Sequence, residues 1–599
     1  MHSPRLLLSI FCIASYFYGT CLAFSAIDSL FGTNNPPQHV LAESSVNSRQ
    51  NLQSSPPKAQ EHASQDALQD MIDALEVLQE QYFELWQGIW PTAIDWTSAV
   101  LGTYLSAALT TLSKSLDYTI TSREPVSTTV LTHENLINQY FSQLVSFYFG
   151  QDAFALRTEA YDDMLWVVLG WLESIKFIHV HSSLHYSEYS HLQEQGANSH
   201  KSWHGRQWIS SFAHRARIFW ELASQGWDTS LCEGGMLWSP YTAPYKNAIT
   251  NELFITASIS MYLYFPGDQN TSPFMTSGQP IGTQEPKYLA AAVEGYKWLK
   301  SANMTNHQRL YTDGFHISGW ERNPPRNHTR HTRCDLRNEM VYTYNQGVLL
   351  SGQRGLWEAT AARSYLEDGH QLVQDIINAT GYDLKHDSVY WDQQRNNDSS
   401  PQLAPWHGLG RRGVIEDLCD SHGQCSQDAQ TFKGIFFHHL SLFCSPLPPH
   451  FLAPGETFDV REYHDTKTWH EKNCKNYAKW IKRNANAAVS TRTEDGKYGM
   501  WWGAPRGHRL TSAEPRIEIP AGAVDYRNRD LPRDKVWVDG ESPLWSQQGN
   551  TILSEAMQSE QELRDSATRD ANDRGRGRTV ETQGGAVAVL RALWEIAHE

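Results

Sequence analysis

The spacing of apolar residues from about residue 66 to the C-terminus constrains the fold of this chain most strongly. In residues 66–79, Leu68, Met71, Ile72 and Leu75 recur at the spacing of one helix face. Comparable patterns predict helices near residues 94–115, 134–149, 160–178, 206–225, 246–265, 287–301, 342–360, 364–379, 429–443, 470–488 and 583–598. About a dozen helices with few strand patterns predict an all-α fold that is larger than a four-helix bundle.

One helical segment, Leu165–Leu172, is apolar on almost every side. A helix that is covered all round has this character, whereas a surface helix keeps a polar face. The segment therefore favours a toroid of paired helices, in which an outer ring encloses an inner ring. A solenoid of helical repeats is the alternative, and the lack of a fixed sequence period disfavours it.

Polar and Pro-rich stretches interrupt the helical pattern near residues 266–286, 321–338, 392–412, 515–545 and 563–582. Helices of the same kind resume after each stretch, so we interpret the stretches as long surface insertions in one domain, residues 66–599. Residues 24–65 are rich in Ser, Gln, Asn and Pro and are predicted to form a disordered lead segment.

Residues 1–23 have the pattern of a secretory signal peptide, with Arg5 ahead of the apolar run 6–18 and small residues ending at Ala23. An uncleaved membrane anchor is the alternative, but the apolar run is short for a spanning helix. No later segment is apolar for long enough to form a transmembrane helix, and the C-terminus lacks the tail of a glycolipid-anchor signal. We expect a secreted protein, either extracellular or associated with a cell wall.

Cysteine and asparagine patterns agree with secretion. Six cysteines follow the signal peptide, and this even number suggests disulfides: Cys232, Cys334, Cys419, Cys425, Cys444 and Cys474. None has the CxxC spacing of a structural zinc site, so we predict no metal and no cofactor. N-x-Ser/Thr sequences predict glycosylated surface loops at Asn270, Asn303, Asn327, Asn378 and Asn397.

Charge and aromatic content narrow the class of ligand. Acidic residues outnumber basic ones, 66 to 50, and the formal net charge of −16 argues against a nucleic-acid partner. The chain contains 22 Trp residues, and indole faces stack well on the C–H faces of sugar rings. Packing in a large core explains most of these Trp residues equally well.

Two adjacent acids, Asp162 and Asp163, directly precede the apolar segment. Aspartates at the start of a helix often satisfy free N–H groups and the helix dipole, so capping is one interpretation. The other is a glycosidase pair, because glycoside hydrolysis needs one carboxylate near the anomeric carbon and one acid near the leaving oxygen. A metal-binding acidic pair is disfavoured, because Leu165-Trp166-Val167 stands where a third acid is needed.

Several segments, in order along the chain, resemble motifs of glycoside hydrolase family 76, the α-1,6-mannanases and their fungal cell-wall relatives. They are Tyr161-Asp162-Asp163, Cys232-Glu233-Gly234-Gly235-Met236-Leu237-Trp238, Tyr245-Lys246-Asn247-Ala248-Ile249-Thr250-Asn251, Tyr342-Thr343-Tyr344-Asn345-Gln346-Gly347-Val348 and Phe432-Lys433-Gly434-Ile435-Phe436. The resemblance implies an (α/α)6 double-ring helical barrel and a retaining reaction. It implies that Asp162 is the nucleophile and Asp163 the general acid/base, which requires the site to hold their pKa values apart.

The same motifs suggest substrate-binding residues. Candidate sugar platforms, with core packing as the alternative for each, are Trp238, Tyr344, Trp501 and Trp502. Residues that either hydrogen-bond sugar hydroxyls or satisfy the backbone are Lys246, Asn247, Asn345, Gln346 and Lys433. Asp313, followed by a glycine, resembles a family position in the cleft, and an ordinary turn is the alternative.

Three disulfide pairs are expected. Cys232 opens the Gly-Gly-Trp motif and Cys334 precedes the Tyr-Asn-Gln motif, and both motifs should border the cleft. Cys419 and Cys425 enclose a short, turn-rich loop. Elimination leaves Cys444 with Cys474.

Together these features predict a secreted, monomeric, endo-acting hydrolase of α-1,6-linked mannan or another mannose-containing glycan. The alternatives are a cell-wall transglycosidase that acts on mannose-bearing glycans and a catalytically inactive glycan-binding wall protein. Hydrolase and transglycosidase share a glycosyl-enzyme intermediate and differ only in the acceptor.

Overall fold

The computed structural model describes residues 58–120, 126–186, 202–269, 280–320, 331–390, 403–448, 459–504, 519–528 and 570–598, with side chains from residue 66. The predicted signal peptide, most of the lead segment, and Asn270, Asn327 and Asn397 lie outside these ranges. A helix begins at Lys58, so the predicted disordered segment, which was expected to continue to residue 65, is too long at its C-terminal end. The remaining candidate glycosylation residues, Asn303 and Asn378, are exposed.

The described residues contain twelve helices of more than ten residues. They are α1 (Lys58–Glu80), α2 (Asp95–Ser115), α3 (Thr128–Gly150), α4 (Tyr161–His185), α5 (Ile209–Ala223), α6 (Ala248–Tyr264), α7 (Pro286–Ser301), α8 (Val348–Thr360), α9 (Ser364–Ala379), α10 (Gln427–Cys444), α11 (Val460–Val489) and α12 (Val580–His598). Each lies on a segment for which the sequence predicts a helix.

The even-numbered helices form a closed inner ring. α2 packs on α4, and contacts continue in order through α6, α8, α10 and α12 back to α2. The odd-numbered helices pack outside this ring, as α5 does on α4 and α7 does on α6. The fold is therefore the predicted (α/α)6 double-ring barrel, and the solenoid alternative is wrong because the ring closes.

Polar bonds between inner helices establish that the helices are parallel. At one end, Glu581 in the first turn of α12 accepts bonds from Thr97 of α2 at 2.9 Å and from Gln427 of α10 at 2.9 Å. At the other end, Glu595 of α12 accepts a bond from Thr111 of α2 at 2.6 Å. The N-termini of the inner helices thus gather at one face of the barrel, which we call the N-terminal face.

Burial explains why the inner helices are apolar on most sides. In α4, Leu165, Val167 and Val168 have no exposed surface, because α2 and α6 flank this helix and α5 covers its outer side. Glycine allows a close contact between two inner helices: a Cβ on Gly434 of α10 would lie 2.7 Å from the Cα of Gly585 in α12. Any larger side chain there would force the two helices apart.

Short strands shape the loops on the N-terminal face. β1 (Tyr245–Asn247), β2 (Gly314–His316) and β3 (Leu336–Asn338) form an antiparallel sheet in that order. Two small hairpins pair β4 (Tyr382–Asp383) with β5 (Ser388–Val389) and β6 (Gly410–Arg411) with β7 (Val414–Ile415).

None of the helices in the described ranges has both the length and the apolar character that crossing a membrane requires.

All three predicted disulfides are present. Cα–Cα distances are 5.2 Å for Cys232–Cys334, 4.9 Å for Cys419–Cys425 and 5.5 Å for Cys444–Cys474. The first joins the Gly-Gly-Trp loop to the segment ahead of β3 and so braces two loops of the N-terminal face.

Removing the Cys232–Cys334 bridge with a double serine variant should destabilise the protein more than removing Cys419–Cys425. The first bridge closes a loop of 102 residues and the second a loop of 6. Chain entropy then gives losses of about 5 and about 2 kcal/mol, respectively. Denaturant unfolding of both variants measures the difference, and equal losses would show that loop closure does not determine the stabilisation.

Candidate active site

The two adjacent aspartates lie in the first turn of α4, at the N-terminal face. Ala160 is the N-cap residue, and the Asp163 carboxylate accepts a bond from the Ala160 backbone N–H at 3.1 Å. The capping interpretation is therefore correct for Asp163, and the same geometry fixes the orientation of its carboxyl group. Capping leaves the second carboxylate oxygen of Asp163 available for chemistry.

Asp162 is buried beside the guanidinium group of Arg527. Only 4% of Asp162 is exposed, and its Oδ1 has no hydrogen-bond partner among the described residues. The Arg527 Nη2 atom lies 3.7 Å from Asp162 Oδ2. Because a buried carboxylate is costly without compensation, Arg527 favours the ionised form of Asp162.

The surroundings of the two acids hold their pKa values apart. Burial raises the pKa of Asp162 to about 6, while the charge of Arg527 and the side chain of Trp238 act in the opposite direction. Burial also raises the pKa of Asp163 well above its usual range, and the neighbouring charges of Asp162 and Glu159 add to the effect. Asp162 is thus the first of the pair to ionise as pH rises, and Asp163 retains its proton longer.

Two aromatic residues from the motifs flank Arg527. Its guanidinium carbon lies 5.7 Å from the Trp238 ring centroid and 5.9 Å from that of Tyr344. Trp238 is held at the start of α4, since its carbonyl accepts a bond from the Tyr161 N–H at 2.9 Å. Trp238 is half-buried and presents part of its ring, whereas Tyr344 is 2% exposed and stacks on Phe432 at 3.8 Å.

Asp313 is buried just before β2 and belongs to the same polar cluster. Its carboxylate accepts bonds from the Tyr245 hydroxyl and from Asn338 Nδ2, the latter at 3.2 Å. Burial raises the pKa of Asp313, and Arg527 is the main opposing influence. The following glycine is needed for strand packing, because a Cβ on Gly314 would lie 2.6 Å from the Cα of Asn247.

Several other predicted binding residues hold the loops in place. Lys246 Nζ donates to four backbone carbonyls of residues 228–235, including that of Leu231 at 2.8 Å. The Gln346 side chain bonds to both backbone groups of Tyr311, and the Lys433 ammonium pairs with buried Asp420 at 2.7 Å. The contacts of Lys246 and Gln346 favour the backbone-satisfying interpretation that the sequence left open, whereas Lys433 is held by a buried carboxylate.

Asn247 and Asn345 differ in their contacts. Asn247 caps α6 by accepting a bond from the Thr250 N–H at 3.3 Å, while its Nδ2 has no partner in the described part of the chain. Asn345 is fully buried, and its side chain lies beside the Asp313 carboxylate, where it opposes the rise in the pKa of Asp313.

Trp501 and Trp502 lie in the barrel interior. Trp501 has no exposed surface and donates its indole N–H to Glu416 at 3.1 Å. Trp502 is 3% exposed and packs against Phe437, with ring centroids 5.8 Å apart. Their burial favours core packing over the role of sugar platform.

Metal-ligand clusters among the described residues all include disulfide-bonded cysteines. One is His370, His470 and Cys474, and the other is Cys419, Asp420 and Cys425. Because these sulfurs are joined to other cysteines, no thiolate is available to coordinate a metal.

Arg527 is the principal site residue that the sequence analysis did not identify. It lies in the predicted insertion 515–545, where no periodic pattern or motif marks it. Contacts to loop residues position it: the Tyr342 hydroxyl donates to Asp525 at 2.7 Å, and the Val524 N–H donates to Asn338 at 2.7 Å.

Two neighbouring carboxyl groups that ionise at different pH are the groups that glycoside hydrolysis requires. A model described as glycosyl hydrolase family 76 matches residues 203–514, slightly more than half of the chain. The chain therefore belongs to glycosyl hydrolase family 76. The match contains Trp238, Asp313 and Tyr344, whereas the aspartate pair lies ahead of it.

Two yeast proteins with similar sequences are both named mannan endo-1,6-alpha-mannosidases. The chain is 22% identical over 222 residues to the mannan endo-1,6-alpha-mannosidase DFG5 of Saccharomyces cerevisiae, covering 36% of each chain. It is 22% identical over 250 residues to the mannan endo-1,6-alpha-mannosidase DCW1 of the same yeast, covering 40% of this chain and 41% of the relative. The alignments thus span well under half of the length of either relative.

Solved structures include an inactive variant of the alpha-1,6-mannanase GH76A of Salegentibacter sp. HEL1_6 in complex with alpha-1,6-mannotriose. That comparison has 13% identity and a TM-score of 0.45, and it covers 89% of this chain and 100% of the other. Dfg5 from Chaetomium thermophilum in complex with glucosamine has 14% identity and a TM-score of 0.45, with 90% of each chain covered.

Replacing Arg527 with Met should move the low-pH limb of the activity profile upward. Arg527 lowers the pKa of Asp162, so its loss raises that pKa above the value of about 6. Ionised Asp162 then forms only at higher pH, and the limb should shift by about one pH unit or more. A pH profile of kcat/KM measures the shift, with Arg527→Lys as the charge-retaining control. An unchanged low-pH limb in Arg527→Met would show that Arg527 does not influence the pKa of Asp162.

Proposed function

We propose that the protein is a secreted, retaining, endo-acting glycoside hydrolase that cleaves α-1,6-mannosidic linkages in mannan. The observation that carries the proposal is the acid pair at the N-terminus of α4, in which the neighbouring Arg527 is the main group favouring ionisation of Asp162 but has only a minor effect on Asp163. Membership of glycosyl hydrolase family 76 and the names of the yeast relatives support the linkage and the sugar.

In the first step Asp163 donates its proton to the glycosidic oxygen while the Asp162 carboxylate attacks the anomeric carbon. The bond to the leaving sugar breaks, and a glycosyl ester forms on Asp162. Arg527 supports this step by keeping Asp162 ionised while Asp163 retains its proton. Asp163 is the more exposed member of the pair, which suits a group that must meet both leaving group and water.

In the second step Asp163, now ionised, takes a proton from water, and the oxygen of that water attacks the anomeric carbon. The ester bond to Asp162 breaks at the same time, which releases Asp162 as a carboxylate and leaves Asp163 protonated for the next cycle. Two inversions at one carbon give a product with the original α configuration. If an acceptor sugar replaces water, the same intermediate gives transglycosylation.

Secretion is part of the proposal. Three disulfides suit an oxidising compartment, because cytosolic thiols are kept reduced. Asn303 and Asn378 are exposed and accessible to glycosylation in that compartment.

Defined mannooligosaccharides with α-1,6, α-1,2 or α-1,3 linkages test the proposal when products are separated and counted. We expect internal cleavage of α-1,6 chains, with new reducing ends equal in number to the bonds broken. Added acceptor glycan should leave that balance unchanged. Elongated products in place of new reducing ends would identify a transglycosidase. Binding of α-1,6 chains without any cleavage after long incubation would identify a glycan-binding protein.

A further inference from the structure

A cavity on the N-terminal face is lined in part by two chain segments that also position Asp313 and Arg527. It has a volume of about 780 Å³, and its lining includes Gln308, Arg337, Glu339, Trp406 and Ala521. We call it the Trp406 cavity. Its volume lies within the range of about 300–1,000 Å³ that is usual for ligand pockets.

The Trp406 ring offers a stacking surface in this cavity. Trp406 is half-buried, and the guanidinium carbon of Arg411 lies 5.4 Å from its ring centroid. Arg411 is fixed in turn by Glu416, at 3.3 Å. The indole is therefore supported by the protein while it lines the cavity, as an aromatic platform for the C–H face of a sugar requires.

The charged groups of the cavity compensate each other. Arg337 pairs with Glu339 at 2.6 Å, and Gln308 Nε2 donates to the His407 carbonyl at 2.8 Å. A neutral lining with amide, carboxylate and guanidinium groups suits a neutral ligand rich in hydroxyls. It gives no excess positive charge for a phosphate or a nucleic acid.

The cavity walls continue into the active site. Met340 lines the cavity, and its backbone carbonyl accepts a bond from the Asp313 N–H at 2.7 Å. Ala521 also lines the cavity, and it belongs to the segment 519–528 that contains Arg527. The two lining segments contact each other, because the Gly522 carbonyl accepts a bond from the Glu339 N–H at 3.2 Å. The loops that line the Trp406 cavity are therefore the same loops that hold Asp313 and Arg527.

We propose that the Trp406 cavity is a distal binding site for a neutral oligosaccharide segment of the same glycan chain. This inference rests on the proposed function for the identity of the glycan. The cavity holds a segment remote from the bond that is cleaved, so it favours long chains over short ones.

Kinetics on long α-1,6-mannan and on α-1,6-mannotriose test the inference through the ratio of the two kcat/KM values. Trp406→Ala should lower the polymer-to-trisaccharide ratio about tenfold, and Trp406→Phe, which keeps a stacking ring, should largely restore it. Trp86→Ala is the matched control, because Trp86 is 81% exposed and lines neither the cavity nor the acid site. Its ratio should equal that of the wild type. An unchanged ratio in Trp406→Ala would overturn the inference.

A binding assay keeps the inference separate from the proposed function. Affinity electrophoresis through gels containing α-1,6-mannan, with Asp162→Asn protein, should show retardation that falls when Trp406→Ala is added. If the wild-type enzyme cleaves no mannan, the proposed function fails. The two proteins are then compared in gels containing neutral β-glucan and in gels containing α-mannan, and a difference in mobility in either gel shows that the cavity binds a glycan. Equal mobility of the two proteins in every gel would overturn the distal site.

Discussion

Replacing Asp162 with Asn is expected to reduce turnover of α-1,6-mannan by about four orders of magnitude while the protein stays folded. The amide has nearly the same size as the carboxylate, but it cannot form the glycosyl ester. Removing a covalent nucleophile lowers kcat by several orders of magnitude. Steady-state kinetics on a defined oligosaccharide and thermal unfolding of the same preparation measure the two properties.

A matched control for Asp162→Asn lies ten residues earlier. Asp152 caps a helical turn by accepting bonds from the backbone N–H groups of Phe154 and Ala155, and it is exposed. Asn is also a good N-cap residue, so Asp152→Asn should preserve both fold and activity. If Asp162→Asn instead unfolds the protein, Asp162 is a structural residue and the catalytic assignment fails.

Replacing Asp163 with Asn should slow cleavage of native glycan by about 10²–10⁴-fold but affect an aryl α-mannoside with a good leaving group much less. Such a leaving group departs without a proton, so its first step does not need Asp163. Hydrolysis of the intermediate still needs a base, and added azide, which needs none, should restore turnover of the aryl substrate.

The Asp163 variant also tests the capping role. Asn at this position still offers an oxygen to the Ala160 N–H, so a loss of stability greater than about 1 kcal/mol is not expected. Equal impairment on native and aryl substrates, without rescue by azide, would exclude Asp163 as the acid/base.

Local patterns were sufficient to predict the helices. The segment Leu165–Leu172 is apolar all round because α2, α5 and α6 cover α4, and the apolar residue types alone predict this burial. The disulfides were also predictable: Cys232–Cys334 followed from the motifs, Cys419–Cys425 from a short loop, and Cys444–Cys474 by elimination. The start of α1 was not predicted, because Lys58-Ala59-Gln60 follows two prolines in a polar stretch without an apolar face.

The site was only partly predictable, because its electrostatics depend on tertiary contacts. Arg527 reaches Asp162 through a loop that Asn338 and Tyr342 hold in place, and its polar sequence carries no such information. Trp501 and Trp502, by contrast, were proposed as sugar platforms from the sequence but are buried in the structure. A tryptophan has the same residue type in a core and in a sugar site, and only the packed barrel reveals that these two are buried.

The anomeric configuration of the first product tests the account most directly. When wild-type protein acts on α-1,6-mannotetraose, proton NMR of the newly formed reducing end should detect the α anomer first, followed by slow equilibration with the β anomer. That order requires the two displacements in which Asp162 forms the glycosyl ester and Asp163 activates water. Initial appearance of the β anomer, or no cleavage of this oligosaccharide, would contradict it.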